Sequence, residues 1–129
     1  MVDKKNTIRL KHSEISLRKD GIVQIQFCEN CDINTKECEE ITLACDQLLE
    51  TKKYPILHLS GKYVTISKEA REYSVSARGI QYSIAEAFVF SSLAHKIVAN
   101  FYIRINKPPV PTKFFTAAED ATIWLKKFL

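Results

Sequence analysis

The sequence predicts an α/β domain in which a mixed sheet of about five strands carries about four helices, in the order ββαβαβαβα. Three observations lead there. Val23, Ile25 and Phe27 alternate with Gln24 and Gln26, the period of a half-buried strand. Ile56 to Leu59 and Ile84 to Phe90 are short apolar runs of the kind that fill the centre of a sheet. The segments between them have helical period and open on capping residues.

Taken in order, Ile8 to Leu17 and Ile22 to Phe27 read as a hairpin turning through Lys19, Asp20 and Gly21, with residues 1–7 a polar, frayed start. Asn34 with Glu37 forms a capping box for a helix to about Lys52, whose inner stripe is Cys38, Ile41, Cys45, Leu48 and Leu49. Tyr54 and Pro55 stop it, and the first central strand follows. Ser67 caps a second helix through about Gly79, with small residues at Ala70, Ser74 and Ala77.

After the second central strand, Ser91 or Ser92 caps a third helix over 92–106, which the prolines at 108, 109 and 111 end. Phe114 and Phe115 make a short last strand. Thr116 with Glu119 then reads as a second capping box, for a helix that buries Ala121, Trp124, Leu125 and Phe128.

The 129 residues, 46% of them hydrophobic, are enough to close one core, so residues 1–129 are expected to form a single domain. No secretory signal and no apolar run long enough for a membrane span is present, which places the chain by default in the cytoplasm. Cys28, Cys31, Cys38 and Cys45 crowd into one stretch and suit reduced thiols better than a disulfide framework. The net charge of +4 hides a division: Glu29 to Glu50 holds seven acids against one Lys, and Thr51 to Lys113 ten bases against three acids. The bases are scattered and not interleaved with aromatic rings, which argues against nucleic acid as a partner.

The stretch Ile56-Leu57-His58-Leu59-Ser60-Gly61, followed by Ile66-Ser67, resembles the corresponding part of STAS domains of the anti-sigma-factor-antagonist type. The end of the chain, KPPVPTKFFTAAEDATIWLKKF, is similar to that of bacterial SpoIIAA-like proteins grouped with STAS and SEC14 domains. This resemblance implies a STAS-like fold over nearly the whole chain. In signalling STAS domains an Asp-Ser-Ser-Gly run opens the helix after this loop and carries a phosphorylated Ser. Here the place reads Ile66-Ser67-Lys68-Glu69, and Ser67 is the one hydroxyl near the matching position. Lipid carriage of the SEC14 kind needs a larger chain and is not implied.

Four candidate sites follow. Ser67 is either a phosphoacceptor or a plain helix cap. Cys28-x-x-Cys31, with Cys38 nearby, has ligand-like spacing, but Cys38 and Cys45 also fit an apolar helix stripe; no metal and no cofactor is assigned. A Cys-His pair lacks a supporting motif, as do paired carboxylates and a Gly-rich phosphate cradle, so no reaction is assigned and the chain reads as non-enzymatic. The third helix is apolar around about half its circumference, through Leu93, Ala94, Ile97, Val98, Phe101, Tyr102 and Ile105, with Ile103 outside that arc.

Burial in the core, a homodimer or partner face, and the wall of a ligand pocket would each use that surplus. The first functional reading is an interaction or regulatory module docking to another protein or to itself through Phe101, Tyr102, Ile103 and the loop from Gly61 to Ser67. The second is a binder of a small apolar or anionic ligand beside His58, Tyr63 and Tyr102, with Arg71 or Arg78 at hand.

Overall fold

In strand Val23–Phe27, Val23, Ile25 and Phe27 turn into the core while Gln24 and Gln26 remain at least partly accessible, as the alternation requires. The computed structural model of the chain describes residues 2–90 and 92–129. Ser91, one of the two expected caps of the third helix, lies outside the described residues, as do the side chains of Leu93 and Ala94.

The chain begins with an antiparallel meander of β1 (Val2–Arg9), β2 (Ser13–Arg18) and β3 (Val23–Phe27). Two expectations are corrected here. Residues 2–7, expected to be part of a frayed start, belong to β1, which pairs with β2 at Thr7↔Ser16 and Ile8↔Ile15. The run from Ile8 to Leu17 is not one strand, because the Leu10 amide donates to the Ser13 carbonyl at 2.7 Å and folds the chain back.

Asp32–Ile33 (β4) leads into α1 (Thr35–Leu49), where the Asn34 and Glu37 capping box forms. Strand β5 (Tyr54–Leu59) starts earlier than expected: Pro55 joins it where the register with its neighbour shifts, a place that tolerates the missing N–H. Thr65–Ile66 (β6) pairs in parallel with β4 as a small separate sheet. Strands β7 (Ser83–Val89) and β8 (Thr112–Phe115) complete a main sheet of six strands, not five, in the order β1-β2-β3-β5-β7-β8, parallel from β3 onward.

The second helix is two helices, α2 (Lys68–Val75) and α3 (Ala77–Ile80). Ser76, in extended conformation, ends the first and caps the second, its Oγ donating to the Tyr73 carbonyl at 2.5 Å and accepting from the Gly79 amide at 3.2 Å. The third is α4 (Leu93–Phe101) continued by a π-helical turn (Tyr102–Asn106), which Lys107 closes in the left-handed region with φ 50°. Its Ser92 Oγ accepts from the His95 amide.

The second capping box does not form: β8 runs through Phe115, and α5 (Ala118–Leu125) starts from Ala117 with no side-chain cap. Glu119 and Asp120 in its first turn suit the helix dipole instead.

The sheet is covered on both faces. On one, Ile15, Ile25, Phe27 and Ile56 pack against Ala44, Cys45 and Leu49 of α1. On the other, Ile22, Leu57, Ala85 and Ala87 pack against Ala121 and Leu125 of α5, with Trp124 and Phe128 alongside.

Gly79 is held in the α2–α3 joint so closely that a Cβ there would stand 2.1 Å from the Tyr73 carbonyl oxygen. Gly79→Ala should lower stability by about 1–3 kcal/mol in urea denaturation, the usual range for overpacking; unchanged stability would mean the joint is slack. Arg78 of α3 grips Asp46 of α1 with two bonds of 3.0 and 2.7 Å, and the Tyr82 hydroxyl also donates to Asp46. These bonds, Arg78 first, hold the Asp46 carboxyl below its ordinary range. Their contribution is present above the unfolded-state value near 3.9 and is lost as pH falls through the lower folded value. Asp46→Asn should flatten the acid limb of a stability-against-pH curve, read by urea titrations at descending pH.

Candidate functional site

The parallel register of the sheet sets a row of rings across four strands. His58 of β5 lies opposite Phe88 of β7, and Phe88 opposite Phe114 of β8. The His58 imidazole stacks on Phe88 with centroids 4.2 Å apart and planes at 6°, and at 6.4 Å on Phe27 of β3. Phe114 continues the stack at 5.1 Å. Tyr102, from the π turn, caps the row edge-on to Phe88 and Phe114.

Within this apolar layer sits a carboxylate. Glu86 of β7 is 4% exposed, accepts a 2.7 Å hydrogen bond from the Ser83 hydroxyl, and has its Oε2 3.6 Å from His58 Nε2. That separation is beyond a hydrogen bond. Neither ring nitrogen of His58 has a hydrogen-bond partner among the described residues, and both are shut off from solvent.

Glu86, His58 and Phe88 form one wall of a cavity of about 80 Å³ whose opposite wall is α1 and α2. Ile25, Ile33, Ile41, Ile56 and Ile66 make its aliphatic side. Thr42 and Tyr73 close another part, the Tyr73 hydroxyl donating to Thr42 Oγ1 at 3.1 Å. Cys38 and Cys45 also line it, but burial pushes their thiols up to about 11 and about 12, so neither is a thiolate at neutral pH. A Cys-His pair activated by a low thiol pKa is therefore not what this cavity contains.

Of the residues expected to share a ligand pocket, only His58 is there. Tyr63 is 76% exposed, in left-handed conformation on the loop before β6. Arg71 donates to the Ile66 carbonyl at 2.8 Å and lies 5.6 Å over the Phe101 ring. Arg78 is committed to Asp46. Ser67 caps α2 by accepting from the Ala70 amide at 3.1 Å. Among the described residues no three His, Cys, Asp or Glu side chains converge as metal ligands; the Cys28 and Cys31 thiols donate to the carbonyls of Lys11 and His12.

The third helix divides its apolar residues. Tyr102, expected on the interface, is 5% exposed, buried against the sheet, and its hydroxyl has no partner; burial and the nearby Glu86 push its pKa up. Ile97, Phe101 and Ile105 are 65%, 50% and 62% exposed, and Ile103 is exposed as well. Sequence reasoning missed Glu86, although an acid inside an apolar central run was the available signal. It also had no means of telling which part of the helical arc faces outward.

A family model described as "Domain of unknown function (DUF7793)" matches residues 15–129. The chain belongs to the DUF7793 family. The matched region of this DUF7793 chain begins within β2 and includes both the cavity and α4. No curated protein matches the sequence.

Among solved structures, the DUF7793 chain is similar to an uncharacterised DUF3478-family protein with a SpoIIAA-like fold from Shewanella loihica PV-4. The TM-score is 0.56 at 16% identity, over 92% of this chain and 90% of that one. A protein of unknown function from Arthrobacter sp. FB24 is similar with a TM-score of 0.32 and 27% identity, over 92% of this chain and 95% of that one. The SpoIIAA-like fold expected from the sequence is thus the fold of the chain.

The Tyr102 hydroxyl is a buried polar group without a bond, so Tyr102→Phe should raise stability by about 1 kcal/mol, whereas Tyr102→Ala should cost about 3–5 kcal/mol. Thermal and urea unfolding read both. A Phe variant less stable than the parent would mean that the hydroxyl is satisfied.

Proposed function

We propose that this chain is a non-enzymatic, STAS-like interaction module that docks to an acidic amphipathic segment of another protein through α4 and the π turn. The observation that carries this is the exposure of Ile97, Phe101 and Ile105 on one helical element. Four residues along an α-helix overshoot a full turn, so Phe101 is rotated past Ile97. The wider π turn advances less per residue and brings Ile105 back over Ile97, giving one straight apolar stripe.

Charge selects the partner's chemistry. From Ala87 to Ala118 the chain has no acid and carries Lys96, Arg104, Lys107 and Lys113. The neighbouring α2 adds Lys68 and Arg71 against Glu69 and Glu72. A second copy laid on the stripe would bring like charges together, whereas an amphipathic helix flanked by Glu would meet opposite ones. His95 Nε2 at 3.0 Å from the Val64 carbonyl ties the start of α4 to the loop before β6, so the docking surface continues into that loop.

Fluorescence anisotropy with two helical peptides, each bearing Leu at i, i+4 and i+8, one flanked by Glu and one by Lys, tests the reading. The Glu peptide should bind and weaken with salt, and Phe101→Asp should reduce its affinity about tenfold or more. Equal binding of both peptides removes the charge argument. A parent chain that sediments as a dimer, and as a monomer after Phe101→Asp or Ile103→Asp, makes the occupant a second copy instead.

A further inference from the structure

The cavity under α1 and α2 has a buried acid in its wall. Glu86 is its one acidic wall residue, and no Lys or Arg is among the described residues that line it. Among the described residues the Ser83 hydroxyl is the one hydrogen-bond donor to Glu86, and a buried carboxylate with one neutral donor is poorly compensated. An anion would add a second negative charge, so the anionic ligand expected from Arg71 and Arg78 does not suit this space.

Three arrangements would restore balance: a proton on Glu86 itself, which would leave the cavity no preference for a cation over a neutral ligand of the same shape; a proton on His58; or a cation in the cavity. An imidazolium carries two N–H donors that both need acceptors. His58 Nδ1 has none, and Nε2 stands 3.6 Å from Glu86 Oε2, too far to donate. A neutral imidazole would leave an ionised Glu86 without an opposite charge.

We infer that the cavity binds a small primary ammonium ion with a short aliphatic chain. An ammonium group donates to the Glu86 carboxylate in a charge-assisted bond. The chain of the amine lies against Ile25, Ile33, Ile41, Ile56 and Ile66, where burial of methylenes stabilises it. Size sets the limit: about 80 Å³ is roughly half the ~150 Å³ of a dry apolar cavity that admits benzene, which leaves space for a few heavy atoms. This inference is independent of the docking surface on α4, which lies outside the cavity.

Calorimetric titration of the full chain at neutral pH with n-propylammonium, 1-propanol and propionate distinguishes charge from shape. Propylammonium should bind about tenfold or more tightly than propanol, and propionate should not bind. Glu86→Gln should remove the preference for the amine over the alcohol. Ile41→Phe, which fills the aliphatic side without touching the polar one, should abolish binding while circular dichroism remains that of the parent. Equal binding of alcohol and amine, an unaltered preference in Glu86→Gln, or no heat from the amine would overturn the inference. So would nitrogen chemical shifts showing His58 as an imidazolium in the free chain, since the pair would then neutralise itself.

Discussion

Everything in this domain is arranged around the parallel pairing of β5 with β7, two strands that have no solvent-facing side. Ile56 and His58 of β5 face α1 while Leu57 between them faces α5, and in β7 Glu86 and Phe88 are interleaved with Ala85 and Ala87 in the same way. The two layers are of different character. The alanines let α5 lie close to the sheet through Ala121 and Leu125, an apolar contact at its centre. The opposite layer is built of isoleucines and rings, and it holds a carboxyl group, an imidazole and an unfilled volume.

Burying Glu86 and His58 in that layer costs free energy that an apolar pair of similar size would not. The stacked rings of Phe27, His58, Phe88 and Phe114 offset part of it by fixing the imidazole in one plane, so that its nitrogens keep their place although no described residue bonds them. Tyr102 closes the row from above, and its burial fixes the π turn against the sheet. The same turn leaves Phe101 and Ile103, its neighbours on either side, exposed. One buried ring thereby links the interior layer to the outer apolar stripe.

Most of the fold was legible in the sequence because its signals are local. The alternation of Val23, Ile25 and Phe27, the Asn34 and Glu37 box, and Ser67 and Ser92 as caps all reappear in the structure. The misreadings have long-range causes. Thr116 and Glu119 have the spacing of a capping box, but pairing with β7 extends β8 through Phe115 and the helix starts later. The helix expected to reach Gly79 breaks because Ser76 bonds in both directions. The cavity was half visible: His58 was singled out, but its companion is on a strand adjacent only in space, and the arginines that seemed to belong with it are bound to Asp46 and to the Ile66 carbonyl.

The edge of the sheet at β8 limits how this protein can meet others. The strand is short, it carries Lys113, and it is entered through Pro108, Pro109 and Pro111, residues with no N–H to offer; its paired side is taken up by β7, with the Pro111 carbonyl accepting from the Glu86 amide at 2.9 Å. An incoming extended peptide would find few backbone groups to pair with along this border, so strand addition is blunted there. The proposed docking relies instead on side chains of α4, which would choose a partner by shape and charge, whereas a backbone edge would accept any extended segment.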